Sequence, residues 1–483
     1  MNFLSTERSR LSRIIDASAI AGIGGLALLC AATLLQRPVL GLADNLDGGR
    51  VMTPAGIAPR VDPGTYPELI VPRLYDAGEA SLSSHFSSAA AMAWAAKQLG
   101  FGLAGEANAF DVRQLGALYG LLAIALLAGA LVAGVAPLLV LGLAWVIADP
   151  VHLLYFNSFY ADVPMLLGVL GTTFWLLAWG DFDDAFFSPA SWREVGRVGL
   201  LAALFFITGM SRGANAAVPL LVMALPLARW FAAPVPRPAR PVRTALVSVP
   251  LIALSALPII HFVRGSGPRF EFVNSYHAVF NGIAEVASDQ AAVLRALDIP
   301  DRFRDHVGRS VYEIADRTLL DATGAPEPSL ARLSRVRLAG LYLSDPRALA
   351  RTEARLRAPL ALARPPMPNY ENEPGRYYTR AGQLSSIRAL LVDRAAPALW
   401  CGLLGLGGYL AVRVARRRPL TRLQSTLAFL WVCFASQSVL AVLGEGFFGI
   451  RLHLAGARLA LDLLLVVAGF AALSGLAKRV ARG

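Results

Sequence analysis

Four short stretches gather acids, bases and amides within a few residues of long apolar runs. "GLADNLDGGR" (residues 41–50) sets Asp44, Asn45, Asp47 and Arg50 directly after the first run. A carboxylate there can take a proton from an acceptor hydroxyl, and an arginine can pair with it or with a phosphate. The plain alternative is a polar helix exit closed by a "DGG" turn. "DPVHLLYFNSFYADVP" (149–164) packs Asp149, His152, Tyr155, Asn157, Tyr160 and Asp162 into a connection too short to be a domain. An interfacial aromatic belt accounts for the tyrosines but not for two aspartates, a histidine and an asparagine. Asp162 stands where the next helix should begin, and a helix N-terminus favours an ionised carboxylate, which suits a metal ligand or an electrostatic partner.

"GMSRGANAA" (209–217) isolates Arg212 among small residues. A guanidinium in such a turn can hold a phosphate by paired hydrogen bonds, or simply snorkel to the interface. "GEGFFGIRLHLAGARLALDLLL" (444–465) carries Glu445, Arg451, His453 and Arg458, with Asp462 further along. Arg451 and His453 suit a phosphate, whereas Arg458 and Asp462, at i and i+4, are expected to form an intramembrane ion pair. No Walker loop, GxGxxG fingerprint or HExxH stands in a convincing context. The glycines of "AGIGGLALL" read as close helix packing.

The elements that must position these residues are membrane helices. Of the 483 residues 55% are hydrophobic, and ten apolar runs approach the roughly 20 residues that span a bilayer: 14–36, 112–132, 134–150, 163–179, 197–210, 214–232, 245–263, 391–412, 422–443 and 455–476. The first follows Arg8, Arg10 and Arg13 and resembles a signal peptide, but its length and the lack of a small-x-small site mark a retained anchor. Cys30, Cys401 and Cys433 all fall in predicted helices, so no disulfide is expected and a cysteine metal site is excluded.

The net charge of +12 is distributed as orientation, not as a nucleic-acid surface. Arg229, Arg237, Arg240 and Arg243, then Arg413, Arg416, Arg417, Arg418 and Arg422, then Lys478, Arg479 and Arg482 fall on one side if ten helices alternate. The positive-inside rule places that side, with both termini, in the cytoplasm. All four polar stretches then lie on the outer face, with two long hydrophilic segments: 37–111 and 264–390. "SLSSHFSSAAAMAWAAKQLG" (81–100) suits a surface helix, and the 264–390 segment reads as a small, mainly helical domain, rich in arginine on one face, returning through the tyrosine-bearing "ARPPMPNYENEPGRYY". The expected organisation is a membrane module over 1–263, this outer domain over 264–390 and a second membrane module over 391–483, in an all-α polytopic fold.

That arrangement resembles the GT-C superfamily of integral membrane glycosyltransferases. Members carry an acidic motif in the first outer loop, directly after helix one, a second acid in the next outer loop, and a surface helix in the first loop. Asp44 and Asp47 of "ADNLDGGR", Asp162 of "YFNSFYADVP" and residues 81–100 match in position, although the acids are spaced D-N-L-D instead of adjacent or D-x-D. "NSYHAVFNGI" (274–283) and "DIPDRFRDHVGRSVYE" (298–313) are similar to uncharacterised bacterial membrane proteins grouped with these enzymes.

The resemblance implies transfer of a sugar from a polyprenyl phosphate donor to a glycan, lipid or protein hydroxyl on the periplasmic face of a bacterial inner membrane, with membrane lipids as surroundings and no nucleic acid. Asp44 would be the base, with Asp47 orienting it or the acceptor. Arg50, His152 and Asn157 would complete the substrate site, Tyr155 and Tyr160 would stack on sugar rings, and Arg212, Arg451 and His453 would meet the departing phosphate. The resemblance fixes no cofactor. A divalent cation, if one serves, would fall to Asp47 and Asp162. Two other classes compete. A lipid-linked glycan transporter or flippase calls for midplane charges and related halves, and no internal repeat is present. An O-antigen polymerase or ligase-like enzyme would use the same carriers and an outer loop as large.

Overall fold

The computed structural model describes residues 2–43, 48–60, 72–82, 86–180, 191–223, 241–265, 268–313, 330, 333–366, 368–370, 380–416, 418 and 420–480. Six helices are long and apolar enough to cross a membrane: Ala17–Leu34, Val112–Val132, Ala245–Phe262, Ala396–Ala415, Arg422–Glu445 and Ala455–Ala477. A seventh span results if one bent pair counts as one. Of the ten apolar runs, four therefore come out differently.

The 134–150 run is the bent pair. Helix Pro137–Ala148 stops at Asp149, and a second piece, Pro150–Asn157, leaves at 62°. Pro150 supplies no N–H to continue the first helix, and the Asp149 carboxylate instead caps the second by accepting from Val151 N–H at 3.1 Å. The 163–179 run forms the Val163–Trp179 helix, apolar all round and buried on nearly every side, as such a helix must be. It packs among Val112–Val132, Trp192–Gly209, Arg422–Glu445 and the last helix. Gly168 makes the second of these contacts close, since a Cβ there would lie 2.1 Å from Thr208 Oγ1. The 197–210 run begins earlier than its apolar residues, at Trp192, because Ser191 and Glu194 form a capping box. Of the 214–232 run, the apolar helix Gly213–Met223 is described; Arg229, Arg237 and Arg240 lie outside the described residues.

The expectation of a purely helical chain needs correction. Two small antiparallel sheets occur on the polar side: Ile57–Pro59, Leu74–Ala77 and Ala109–Asp111 make one, and Leu40–Leu42 pairs with Pro368–Tyr370 to make the other. Thus the two long polar segments meet strand to strand. The surface helix is Ser88–Leu99, capped by Ser87 at its start and by Gly100 (φ +68°) at its end. Its small residues Ala89, Ala90, Ala93 and Ala96 are buried, while Trp94 and Leu99 stay exposed, which is the amphipathic pattern the sequence suggests. The 264–390 segment is helical through most of its described part, with Pro268–Ala278, Gln290–Ala296, Arg335–Ser344, Pro346–Leu360 and Gln383–Arg394. It does not stand apart, since Pro268–Ala278 packs on the Arg422–Glu445 membrane helix. All three cysteines are free.

Candidate functional site

Three of the four polar stretches converge. Asp162 begins the Val163–Trp179 helix, but its carboxylate makes no cap hydrogen bond. It faces Arg212 instead, accepting from Nη1 at 3.1 Å, and accepts from Asn215 Nδ2 at 3.3 Å. Arg212 is carried on the turn after Trp192–Gly209, where Ser211 Oγ donates to Thr208 O at 2.7 Å and holds the turn in place. The same guanidinium donates through Nη2 to Glu445 Oε1 at 3.3 Å and through Nη1 to His453 Nδ1 at 3.0 Å. His453 Nδ1 is therefore an acceptor, so Nε2 bears the proton and donates to Glu445 Oε2 at 2.8 Å. Arg212, His453 and Glu445 close a ring, and Asp162 is attached to its cationic corner.

This ring borders a pocket of roughly 300 Å³ including its open mouth, lined also by Asn215, Gln437, Ala441 and Gly444. Side-chain exposure falls from 22% at Glu445 and 18% at Arg212 to 4% at Asp162, so the ring is sheltered yet reachable.

Glu445 ends the Arg422–Glu445 helix, and the residues just after it fix its aim. Gly446 (φ +62°) is clamped by the 264–390 segment: a Cβ there would lie 2.4 Å from His277 O and 2.7 Å from Asn281 O, and Phe447 N–H donates to Asn281 O at 2.7 Å. Only glycine fits both the conformation and the space. Behind it, His277 stacks on Phe448 at 4.1 Å between ring centres, and its Nε2 accepts from Val311 N–H at 3.2 Å. Burial, helped by His453 and opposed by the Glu445 carboxylate, holds the His277 imidazole down from 6.5 to about 4.

Asp44 and Asp47 lie outside the described residues. Ala43 and Arg50, on either side of them, are described. Ala43 O accepts from Tyr160 Oη at 2.9 Å, two positions from Asp162. Arg50, half-buried, acts electrostatically on Glu445. Asn157 anchors the approach: its Nδ2 donates to Leu34 O at 2.9 Å and Leu40 O at 3.0 Å. Gly116 makes room for it, since a Cβ there would fall 1.9 Å from Asn157 Oδ1.

Other expected site residues are placed differently. Tyr155 and Tyr160 are buried and stack edge to face on each other at 5.7 Å, so their rings meet protein. Arg451 is exposed and does not line the pocket. His152 is sealed 2% exposed in a second cluster, donating from Nε2 to Asp462 Oδ2 at 2.8 Å. The expected Arg458–Asp462 pair is not made. Asp462 pairs with Arg388 of the Gln383–Arg394 helix, while Arg458 donates to Arg451 O at 2.7 Å, Pro359 O at 3.3 Å and Tyr155 Oη at 3.2 Å. Arg388 further donates to Leu360 O at 2.8 Å and Leu362 O at 2.6 Å. The helix geometry permitted an i, i+4 pair, but the buried carbonyls at 359–362 and 451 needed donors and the two arginines supply them. Asp149, beyond its cap, accepts from Ser385 Oγ at 2.9 Å and Ser385 N–H at 3.0 Å; Gly382 leaves room for this, with its Cβ position 2.0 Å from Asp149 Oδ1.

Asn215, Gln437 and Arg388 had no part in the sequence reading, and Glu445 had no role in it. A glutamine inside an apolar membrane helix was the available signal for Gln437. Of the two candidate cation ligands, Asp47 lies outside the described residues and the Asp162 oxygens face a guanidinium and an amide; no three His, Cys, Asp or Glu side chains cluster among the described residues.

A family model described as the YfdI N-terminal transmembrane domain matches residues 5–481. The chain belongs to that family and is a multi-pass membrane protein. No curated protein and no solved structure matches it.

Proposed function

We propose that this family member is a GT-C-like glycosyltransferase of a bacterial inner membrane, with cytoplasmic termini and a site open to the periplasm. It moves a sugar from a polyprenyl phosphate donor to an acceptor hydroxyl. The observation that carries the reading is the ring at the pocket. Asp162, Arg212, His453 and Glu445 come from three separate turns to one opening; beside the stretch holding Asp44 and Asp47, Ala43 accepts from Tyr160, two positions before Asp162, and Arg50 acts electrostatically on Glu445.

In the reaction the acceptor oxygen bonds to the anomeric carbon, the bond from that carbon to the phosphate oxygen breaks, and polyprenyl phosphate departs with the electron pair. The acceptor proton passes to a carboxylate, and Asp44 is our assignment, with Asp47 orienting it. Asp162 and Glu445 hold Arg212 in one orientation, so that its positive charge is fixed before the phosphate develops negative charge. Arg50 and Arg451 are the further cations on this side.

The test is transfer from polyprenyl phosphate sugars by the purified full-length protein. Asp44→Asn is expected to lose about 10²–10⁴-fold in rate while expression and donor binding persist. Full activity in that variant removes Asp44 from the role of base. The second reading, a lipid-linked glycan transporter, is favoured by the ionisable Arg458 and Asp462 within the last membrane helix. Movement of labelled lipid across sealed vesicles without covalent transfer would decide for it.

A further inference from the structure

Tyr155 and Tyr160 are buried, but another pair of aromatic rings stands open beside the charged ring. Tyr312 is 71% exposed and Phe448 36%, with ring centres 5.7 Å apart and planes 43° from parallel. They belong to distant parts of the chain, and His277 joins them. Its ring stacks on Phe448 with planes 21° from parallel, and its Nε2 accepts from the N–H of Val311, the residue before Tyr312. The Tyr312 turn is tied a second time: Ser310 Oγ accepts from Tyr312 N–H at 3.2 Å, and Glu313 accepts from Ser310 N–H at 3.1 Å. On the other side, Phe448 is held in a turn between Gly446 and Gly449, both with left-handed backbone (φ +62° and +60°). Stability alone does not call for two large rings built into such a frame and left in the open. Contiguous exposed aromatic surface of this kind marks a place of contact.

The pair is indexed to the pocket. Phe448 follows Glu445 by three positions, so the two Cα atoms lie within about 11 Å of each other. Its neighbour Gly449 is closer still, since a Cβ there would lie 3.0 Å from His453 Nε2, and His453 and Glu445 both line the pocket. The surroundings say what lands there. Arg309 and Glu313, both exposed, flank Tyr312 with opposite charges. A lipid surface calls for cations beside apolar side chains without an acid among them, and an anion would meet the Glu313 carboxylate. A neutral sugar ring suits both parts. Its C–H face is apolar, and its hydroxyls, each donor and acceptor, can accept from a guanidinium and donate to a carboxylate.

We propose that Tyr312 and Phe448 form a platform for a neutral sugar ring of the acceptor, whose hydroxyls meet Arg309 and Glu313, and that the acceptor is therefore a glycan. The proposal rests on the glycosyl-transfer reading for calling the bound saccharide an acceptor. A saccharide stacked there is within reach of the pocket, where Arg212 meets the donor phosphate.

The experiment is equilibrium binding of neutral tetrasaccharides of glucose, galactose, mannose and rhamnose to the full-length protein in lipid nanodiscs, beside transfer from polyprenyl phosphate glucose, galactose and mannose. Tyr312→Leu keeps apolar bulk and removes the ring; it is expected to weaken binding of at least one tetrasaccharide roughly three- to tenfold, and Tyr312→Phe to retain it. Phe448→Leu should weaken the same tetrasaccharide by a similar factor. In Tyr312→Leu the binding of the polyprenyl phosphate sugars is expected to be unchanged, and so is the thermal midpoint, because the side chain is mostly exposed. Failure of the wild type to bind any tetrasaccharide overturns the proposal, as does equal binding by Tyr312→Leu. A matching loss of the polyprenyl phosphate sugars also overturns it, by giving the platform to the donor. A loss that follows the lipid composition of the nanodisc overturns it by giving the platform to the membrane. Tetrasaccharide binding through Tyr312 without any transfer would defeat the glycosyl-transfer reading alone, and transfer with an indifferent Tyr312→Leu would defeat the platform alone.

Discussion

Two clusters built from the same residue types sit on this molecule, and they differ in what they are free to do. At the pocket, Arg212 and Glu445 keep about a fifth of their side-chain surface open, and their partners can be exchanged for a ligand. In the other, Arg388 and Asp462 are fully buried and His152 nearly so, with the arginines committed to backbone carbonyls at 359, 360, 362 and 451. A buried ion pair seldom adds net stability, but losing one partner leaves an uncompensated charge. The sealed cluster therefore serves as a joint between the 264–390 segment and the last membrane helix, and the open one is the candidate site.

The comparison breaks first at Asp462. Asp462→Asn strands the Arg388 charge, and a loss of about 3–5 kcal/mol is expected, seen as a collapse in monodisperse, folded protein. A stable variant would mean that the joint is not needed. Glu445→Gln should do the opposite: fold retained within about 1 kcal/mol, transfer reduced about 10²–10³-fold, the range for removing one preorganised electrostatic group. Equal losses of stability in both variants would erase the distinction.

Gly116→Ala tests whether the approach to the pocket depends on Asn157. The new methyl displaces the Asn157 side chain, with an expected cost of about 1–3 kcal/mol and a larger proportional loss of activity than of stability, read by thermal unfolding beside a transfer assay. The last test is a pH dependence at His277. Its folded value is near 4, below the ordinary 6.5, so between those values the unfolded chain takes up a proton that the folded protein refuses. Stability should fall as pH drops from about 6.5 to about 4, and His277→Asn should flatten that slope. Glu445 and His453 are the ionisable neighbours that act on it, so the Glu445→Gln variant is expected to alter the same slope.

How much of this could be read in the sequence depends on the same divide. Asp162, Arg212, Glu445 and His453 each stood out as a charge at the edge of an apolar run, since the cost of burying ionisable groups makes them conspicuous there. The long helices were legible for the same reason, because an apolar run of sufficient length admits few other structures. Pairing was not legible. Asp462 had Arg458 four residues away, yet it bonds to Arg388, whose place in the Gln383–Arg394 helix gave no hint of burial. His152 and Tyr155 looked like site residues because composition marks polar clusters without saying which way they face. The 163–179 run read as one more span, and nothing in its residues told that four other helices would surround it. The short strands escaped because three residues carry no usable period.

One of those strand pairs has a consequence in time. Leu40–Leu42 finds its partner in Pro368–Tyr370, so the strand leading toward Asp44 has no mate until most of the chain has been synthesised. At roughly 5–20 residues per second that delay is on the order of tens of seconds, with the first helices already made. The strand pair is thus completed late although its first strand is translated early, and a chain truncated before residue 368 carries Leu40–Leu42 without its partner.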